Sequence, residues 1–102
     1  MKKYVYIDDQ RMLPDKPEYD MILIRSLPEF RDFCDNNSAE LHEMVFDFDY
    51  YLSYRAGGPT GEDCIGVLRY SMETKIKPEC HFHSSDEYCN NLMRALVDKL
   101  FN

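Results

Sequence analysis

The sequence predicts a small α/β domain organised around a mainly parallel, four-stranded sheet. Three observations predict it. Short apolar, β-prone runs recur at residues 3–8, 21–25, 44–49 and 80–83, each too short to be a core helix. Helical periodicity with an amino-terminal capping signal follows the second, third and fourth run. The resulting order, β-loop-β-α-β-α-β-α, is that of strands joined by helical crossovers, and crossovers build parallel sheets.

The first strand is read as Lys3 to Asp8, where Tyr4-Val5-Tyr6-Ile7 empties directly into Asp8-Asp9. From Asp9 to Tyr19 the chain carries Pro14 and Pro17 and no helical period, so a loop stands where a first crossover helix is expected. Met21 to Arg25 reads as a buried strand, and the missing helix leaves its direction beside strand one open. Ser26-Leu27-Pro28-Glu29 then starts a helix, with a Ser cap, Glu three residues on and Pro in the first turn. Its apolar face is Leu27, Phe30, Phe33 and Cys34, and it ends near Asn36-Asn37.

Strand three is Met44 to Asp49, followed by a long loop, Tyr50 to Pro59, that holds three tyrosines. Thr60-Gly61-Glu62-Asp63 caps the second helix and puts acids in its first turn. Cys64, Val67, Leu68 and Met72 form its stripe. Pro78 interrupts the chain before strand four, Cys80 to His83. Ser84-Ser85-Asp86-Glu87 repeats the Ser-x-x-Glu cap, and a last helix from Asp86 to Phe101 buries Leu92, Met93, Leu96, Val97 and Leu100.

At 102 residues, 44% of them hydrophobic, the chain reads as a single domain, 1–102, with a modest core. The formal net charge of −7 disfavours general nucleic-acid binding, which rests on Lys and Arg. It is compatible with a small phosphorylated ligand held through a metal, since the cation supplies the missing positive charge. Cys34, Cys64, Cys80 and Cys89 make no Cys-x-x-Cys pair and no zinc spacing, as expected of free thiols in a reducing cytoplasm. No signal peptide precedes Tyr4, and no window has the length of a transmembrane helix. The expected location is cytoplasmic; the pattern does not fix an oligomeric state.

The chemistry is concentrated in the carboxylates. Ligands of open parallel sheets bind beyond the carboxyl ends of the strands, and two strands here end in acids. Asp8, Asp9 and Asp47 at adjacent strand ends suit a hard divalent cation, Mg²⁺ or Mn²⁺, with Asp49 beside them. For any one of them, turn initiation is the plainer reading. His83 closes strand four ahead of Ser84 and Ser85 at a helix start, where amides and hydroxyls suit a phosphate oxygen. Its ordinary pKa suits general acid–base work on a phosphoester. Arg11 and Arg25 are candidate phosphate clamps, because guanidinium matches phosphate bidentately; Arg25 joins only if strand two is parallel. His81 reads as packing or surface and His42 as uninvolved. The Tyr50 to Tyr54 aromatics are read as covering the core edge rather than stacking on a base.

These residues resemble a known family. Ile7-Asp8-Asp9-x-Arg11-x-x-Pro14 is similar to the opening motif of the cyclic-phosphate-processing receiver domains, small relatives of two-component receivers. Arg25-Ser26-x-x-Glu29 resembles their passage from strand two into a helix. Phe46-Asp47-Phe48-Asp49-Tyr50 is similar to their Asp-His-Asp-Leu motif, with Phe48 where the motif has His. Gly61-x-Asp63, His83-Ser84-Ser85 and Asn91-Leu92-Met93 resemble later elements, in order, although Asp86-Glu87-Tyr88-Cys89 stands in place of Asn-Pro-Val-Gly. The resemblance implies a flavodoxin- and receiver-like three-layer sandwich, strand order 2-1-3-4, without a fifth strand. It implies metal binding by Asp8, Asp9 and Asp47, with Asp49, Arg11 and His83-Ser84 lining the pocket, and action on cyclic phosphate ends or cyclic nucleotides.

The expected function is accordingly a metal-dependent phosphoesterase-like domain, with His83, Asp49 and Arg11 catalytic and Arg11, Arg25, Ser84 and Ser85 binding substrate. The alternatives are a non-catalytic module that binds a phosphorylated small molecule or a partner protein, or a phosphoacceptor at Asp47. Nothing after His83 reads as a fifth strand carrying a receiver's Lys, which counts against the phosphoacceptor. The haloacid-dehalogenase motif fits Asp47-Phe48-Asp49 less well, because its downstream Lys and second acidic pair are missing.

Overall fold

The computed structural model describes residues 1–101. Four strands, β1 (Lys3–Ile7), β2 (Asp20–Ile24), β3 (Val45–Phe48) and β4 (Glu79–Phe82), alternate with three helices, α1 (Leu27–Asn36), α2 (Gly61–Ser71) and α3 (Glu87–Leu100). A single 3₁₀ turn, Leu41–Glu43, leads into β3. The sheet order is β2-β1-β3-β4 and every pairing is parallel. Strand two is therefore parallel to strand one even though no helix joins them.

The elements start where local chemistry starts them. Ser26 Oγ accepts from Glu29 N and caps α1, with Pro in its first turn. Thr60 and Asp63 form a reciprocal capping box at α2. The cap of α3 differs from the expectation: Asp86, not Ser84, accepts from the first-turn amide of Tyr88, at 3.0 Å. Asp is as good a cap as Ser and lies two residues nearer the helix.

Both helical crossovers of the sheet step in the same direction, from β2 past β1 to β3 and on to β4. Right-handed crossovers then place their helices on one face. That face is the core: Val5, Ile7, Phe46 and Phe48 of the strands, Phe30 and Cys34 of α1, Ile65 and Leu68 of α2 and Met93 of α3 are all fully buried. The loop 8–19 covers the opposite face and stands in for the third layer's helix. There Tyr4, Tyr6 and Val45 pack with Tyr19, Met21 and Leu23. The four cysteines are unpaired, and burial pushes the thiols of Cys34 and Cys80 up to about 12. No helix among the described residues is long and apolar enough to cross a membrane.

Gly61 couples this frame to the sheet edge. A Cβ there would run into the backbone oxygen of Asp49 and the sulfur of Met93. Its amide donates to Tyr50 O at 2.6 Å. Only glycine lets the amino end of α2 close on the end of β3.

Candidate functional site

The sheet register pairs Ile7 with Ile24 and with Phe48, and Phe48 with Phe82. One residue further along, Arg25, Asp8, Asp49 and His83 occupy the next rung. The ladder continues through their backbones: Asp8 N donates to Ile24 O, Asp49 N to Ile7 O and His83 N to Phe48 O, each at 3.0 Å. Side chains alternate along strands, so this rung shares a face with Tyr4, Tyr6 and Asp47, away from the helices. One ligand atom from each of Asp8, Asp49 and His83 lies within 4.8 Å of the others.

Asp8 is 1% exposed. Its Oδ1 accepts from the amides of Gln10 and Arg11, both at 2.8 Å, an Asx-type turn that follows from Asp at a strand end. Its Oδ2 meets His83 Nε2 at 2.9 Å. Burial alone would raise its pKa; the two amides and His83 outweigh that and hold the carboxyl below the usual range.

His83 is gripped from both sides. Nδ1 meets Asp47 Oδ1 at 2.7 Å while Nε2 faces Asp8, and the ring stacks on Tyr6 at 4.3 Å and 8°. Ionised carboxylates only accept, so both ring nitrogens donate and the ring is an imidazolium. Burial pulls its pKa down, but the hydrogen bond and charge of Asp47, then Asp8, raise it overall. Behind it, Tyr4 Oη donates to Asp47 Oδ2 at 2.6 Å. Burial and the Asp47 bond push the Tyr4 phenol well up. Asp47 itself is lowered: burial raises it, and His83 and Tyr4 outweigh burial.

Asp49 behaves differently. Burial raises its pKa, the Tyr50 amide at 2.8 Å on Oδ1 opposes this, and the charge of Asp8 raises it again.

Asp8, Asp9, Arg11, Asp49, Ser84 and Ser85 line one cleft of about 270 Å³ with Gln10, Tyr51, Ser53 and Tyr54. Asp47 is not brought there. It lies within β3 opposite Tyr6 and His81, and both its oxygens are engaged on the loop-covered face. Asp8 too has both oxygens engaged, by the Gln10 and Arg11 amides and by His83. What separates the two acids is that Asp8 lines the cleft and Asp47 does not; either would have to exchange a hydrogen bond for a cation. Asp49, first after the strand, is the acid of the Asp47–Asp49 pair that reaches the rim.

The arginines also differ in use. Arg11 Nη1 donates to His83 O at 2.8 Å with its side chain about half exposed (48%) on the cleft wall. Arg25 Nη1 donates to Arg11 O at 2.7 Å and to Asp8 O at 3.3 Å. It ties down the β1 exit loop instead of lining the cleft. His81 pairs with Glu79 at 2.6 Å, exposed, and His42 lies beside Glu43 at 3.6 Å.

Several residues escaped the sequence reading. Asn90, 6% exposed, holds Ser84 by a two-way clasp: Ser84 N donates to Oδ1 and Nδ2 donates to Ser84 O, both at 2.9 Å. Tyr4 and Tyr6 position Asp47 and His83, and the signal was available in their alternation with Asp8 along one strand. Tyr51 and Tyr54 are 59% and 93% exposed. The core edge is instead covered by Leu52 and Tyr50, which overturns the view of the other two as core cover.

The donor chemistry of the rim fits a divalent cation. Asp8 and Asp49 offer hard oxygens in one cluster, while Asp9 lines the cleft outside that cluster. Mg²⁺ or Mn²⁺ take one or two carboxylates with water and phosphate beside them. Asp49's raised pKa arises partly from Asp8, a like-charge repulsion that a cation would relieve.

A parallel 2-1-3-4 sheet with an acidic rung at its carboxyl edge defines a receiver-like domain. The chain belongs to the cyclic-phosphate processing receiver domain family, whose sequence model matches residues 3–99. No curated protein and no solved structure matches it. Phe48, where the family motif has His, is fully buried and stacks between Phe46 and Phe82 at 6.1 and 6.2 Å. That position faces the helices, so the exchange alters core packing and leaves the rim acids in place.

Proposed function

We propose that this domain binds a cyclic phosphate at the carboxyl edge of the sheet and, with Mg²⁺ or Mn²⁺, hydrolyses it. The observation that carries the reading is the rung of Asp8, Asp49 and His83, their ligand atoms within 4.8 Å. Of these, Asp8 and Asp49 line a cleft that also presents Arg11, Ser84 and Ser85, with His83 directly behind Asp8. Asp8 and Asp49, with Asp9 beside them on the cleft wall, would hold the cation, which when bound neutralises phosphoryl charge. Arg11 sets its guanidinium against a phosphate oxygen, and the Ser84 and Ser85 hydroxyls orient the ester. Asn90 keeps Ser84 in place. Water attacks phosphorus and gives a proton to the Asp49 carboxylate, one ring P–O bond breaks, and the departing oxygen takes a proton from His83 Nε2. Proton exchange from Asp49 through solvent then restores the imidazolium. Asp47 and Tyr4 keep that imidazolium charged and aimed.

The test is turnover and binding of 2′,3′-cyclic AMP with and without Mn²⁺. Turnover is expected to need the metal and to vanish in Asp8→Asn and Asp49→Asn. Tight binding without turnover moves the domain to the class of binding modules, and unchanged activity in both variants removes the rim from the mechanism.

A further inference from the structure

The cleft has a second wall that the phosphate chemistry does not use. Tyr51 and Tyr54, with Ser53 between them, share the cavity with Asp8, Asp49 and Arg11. Both rings are largely in solvent, at 59% and 93% exposure, while Leu52 between them is 5% exposed and plugs the core.

The segment presenting them is a braced hairpin. Tyr51 bridges antiparallel to Thr60. Leu52 N donates to Pro59 O at 3.1 Å and Gly58 N to Arg55 O at 3.0 Å. The turn passes through Gly57 at φ 76°, a conformation that favours glycine. Arg55 N also donates to Ser53 Oγ at 3.1 Å. Tyr50 stands edge-on to the Tyr51 ring at 4.9 Å and 84°, its hydroxyl bonded to Glu62. The Tyr51 ring, held this way, presents a stacking face whose ordering cost is largely met before a ligand arrives, and the braced backbone places Tyr54 on the same cleft wall.

From this arrangement we infer that Tyr51 and Tyr54 form a stacking subsite for the base of a nucleotide whose phosphate lies on the Asp8–Asp49 rim. The inference rests on the cyclic-phosphate reading for the phosphate end and adds the class of its substituent: a nucleobase, rather than a bare polyol. Aromatic side chains stack on any base through its π face. The net charge of −7 opposes a long polyanion, which favours a small nucleotide over a nucleic-acid strand. The remaining cleft walls are carboxylates, a guanidinium, hydroxyls and the Gln10 carboxamide, which leave the two rings as the wall suited to a flat apolar group.

Three probes on the full chain with Mn²⁺ test this by calorimetric titration: 2′,3′-cyclic AMP, glycerol 1,2-cyclic phosphate and adenosine 5′-monophosphate. The cyclic nucleotide is expected to bind at least about tenfold tighter than the cyclic glycerol phosphate. The Tyr51→Ala/Tyr54→Ala double variant should erase that advantage and leave the glycerol compound's affinity unchanged, whereas Tyr54→Phe should retain it. Equal affinities in the wild type, or an advantage that survives the double variant, overturn the subsite. If neither cyclic phosphate binds but adenosine 5′-monophosphate does, and loses affinity in the double variant, the subsite stands and the cyclic-phosphate reading falls. Failure of all three probes overturns both.

Discussion

The two faces of the sheet are made by alternate residues of the same strands, yet they are built on opposite principles. Toward the helices, Val5, Ile7, Phe46 and Phe48 are fully buried, and Phe30 sets its edge against Phe46 and Phe48 at 6.0 and 6.1 Å. Nothing polar intrudes between them. Toward the loop, Tyr4, Asp47, His83 and Asp8 are joined end to end by hydrogen bonds of 2.6, 2.7 and 2.9 Å. Buried polar groups are tolerable only when partnered, and no buried side-chain nitrogen or oxygen among the described residues lacks a partner. One face therefore carries the stability. The other, covered by a loop instead of a helix, keeps its charges buried and partnered beside the cleft.

The largest effect expected from that division is on the dry face. Phe46→Ala should cost about 3–5 kcal/mol of unfolding free energy, read as a lower urea midpoint. Tyr4→Phe removes a hydrogen bond to the buried Asp47 carboxylate and should cost about 1.5–3 kcal/mol. A loss matching that of Phe46→Ala would erase the contrast between the faces. Gly61→Ala should come next, at about 1–3 kcal/mol, because the new methyl strikes the Asp49 backbone. It should also weaken Mn²⁺ binding, measured by calorimetry, although residue 61 bears no ligand.

The gentlest probe is pH, followed by thermal unfolding in a chelator. His83 is raised above its ordinary 6.5, so its contribution is full below that value and is lost as pH climbs through the higher folded pKa. Asp8 and Asp47 are lowered from 3.8; their contribution is present above that value and disappears as pH falls through the folded pKa. Asp49, raised from 3.8, works the other way and erodes stability as pH rises from there. A broad acid-side optimum with decline above 6.5 is expected, and His83→Gln should flatten the upper decline. An upper limb unchanged in that variant would remove the imidazolium from the stability of the polar face.

Much of this architecture was legible because the signals were local. Caps at Ser26 and Thr60, apolar runs and the helical stripes are short-range features, and the elements fall within about a residue of where they are expected. The rim was harder to read because it depends on register. Asp47 and Asp49 look alike in sequence, each an acid beside a Phe. The strand ends between them, at Phe48, so one acid is held inside the ladder and the other stands at the edge. Which oxygen faces the cleft is decided by pairing with Tyr6 and His81 from strands distant in the chain. Asn90 was missed for a related reason, since its importance lies in clasping Ser84 across a turn. Arg25 was found as a residue but not as a tether, because its partners are backbone carbonyls that leave no trace in composition.

The link between β1 and β2 has a consequence of its own. Twelve residues, 8–19, carry the chain from Ile7 back to Asp20, near the shortest connection that parallel neighbours accept. Excising even a couple of them would pull β2 along its neighbour, and a slip of one residue turns a strand's whole face over. Ile22 and Ile24 would leave the dry core, Met21 and Leu23 would take their places, and Arg25 would part from Asp8. The segment can lengthen freely; its minimum length is set mechanically, by the need to keep one guanidinium on the backbone carbonyls of Asp8 and Arg11.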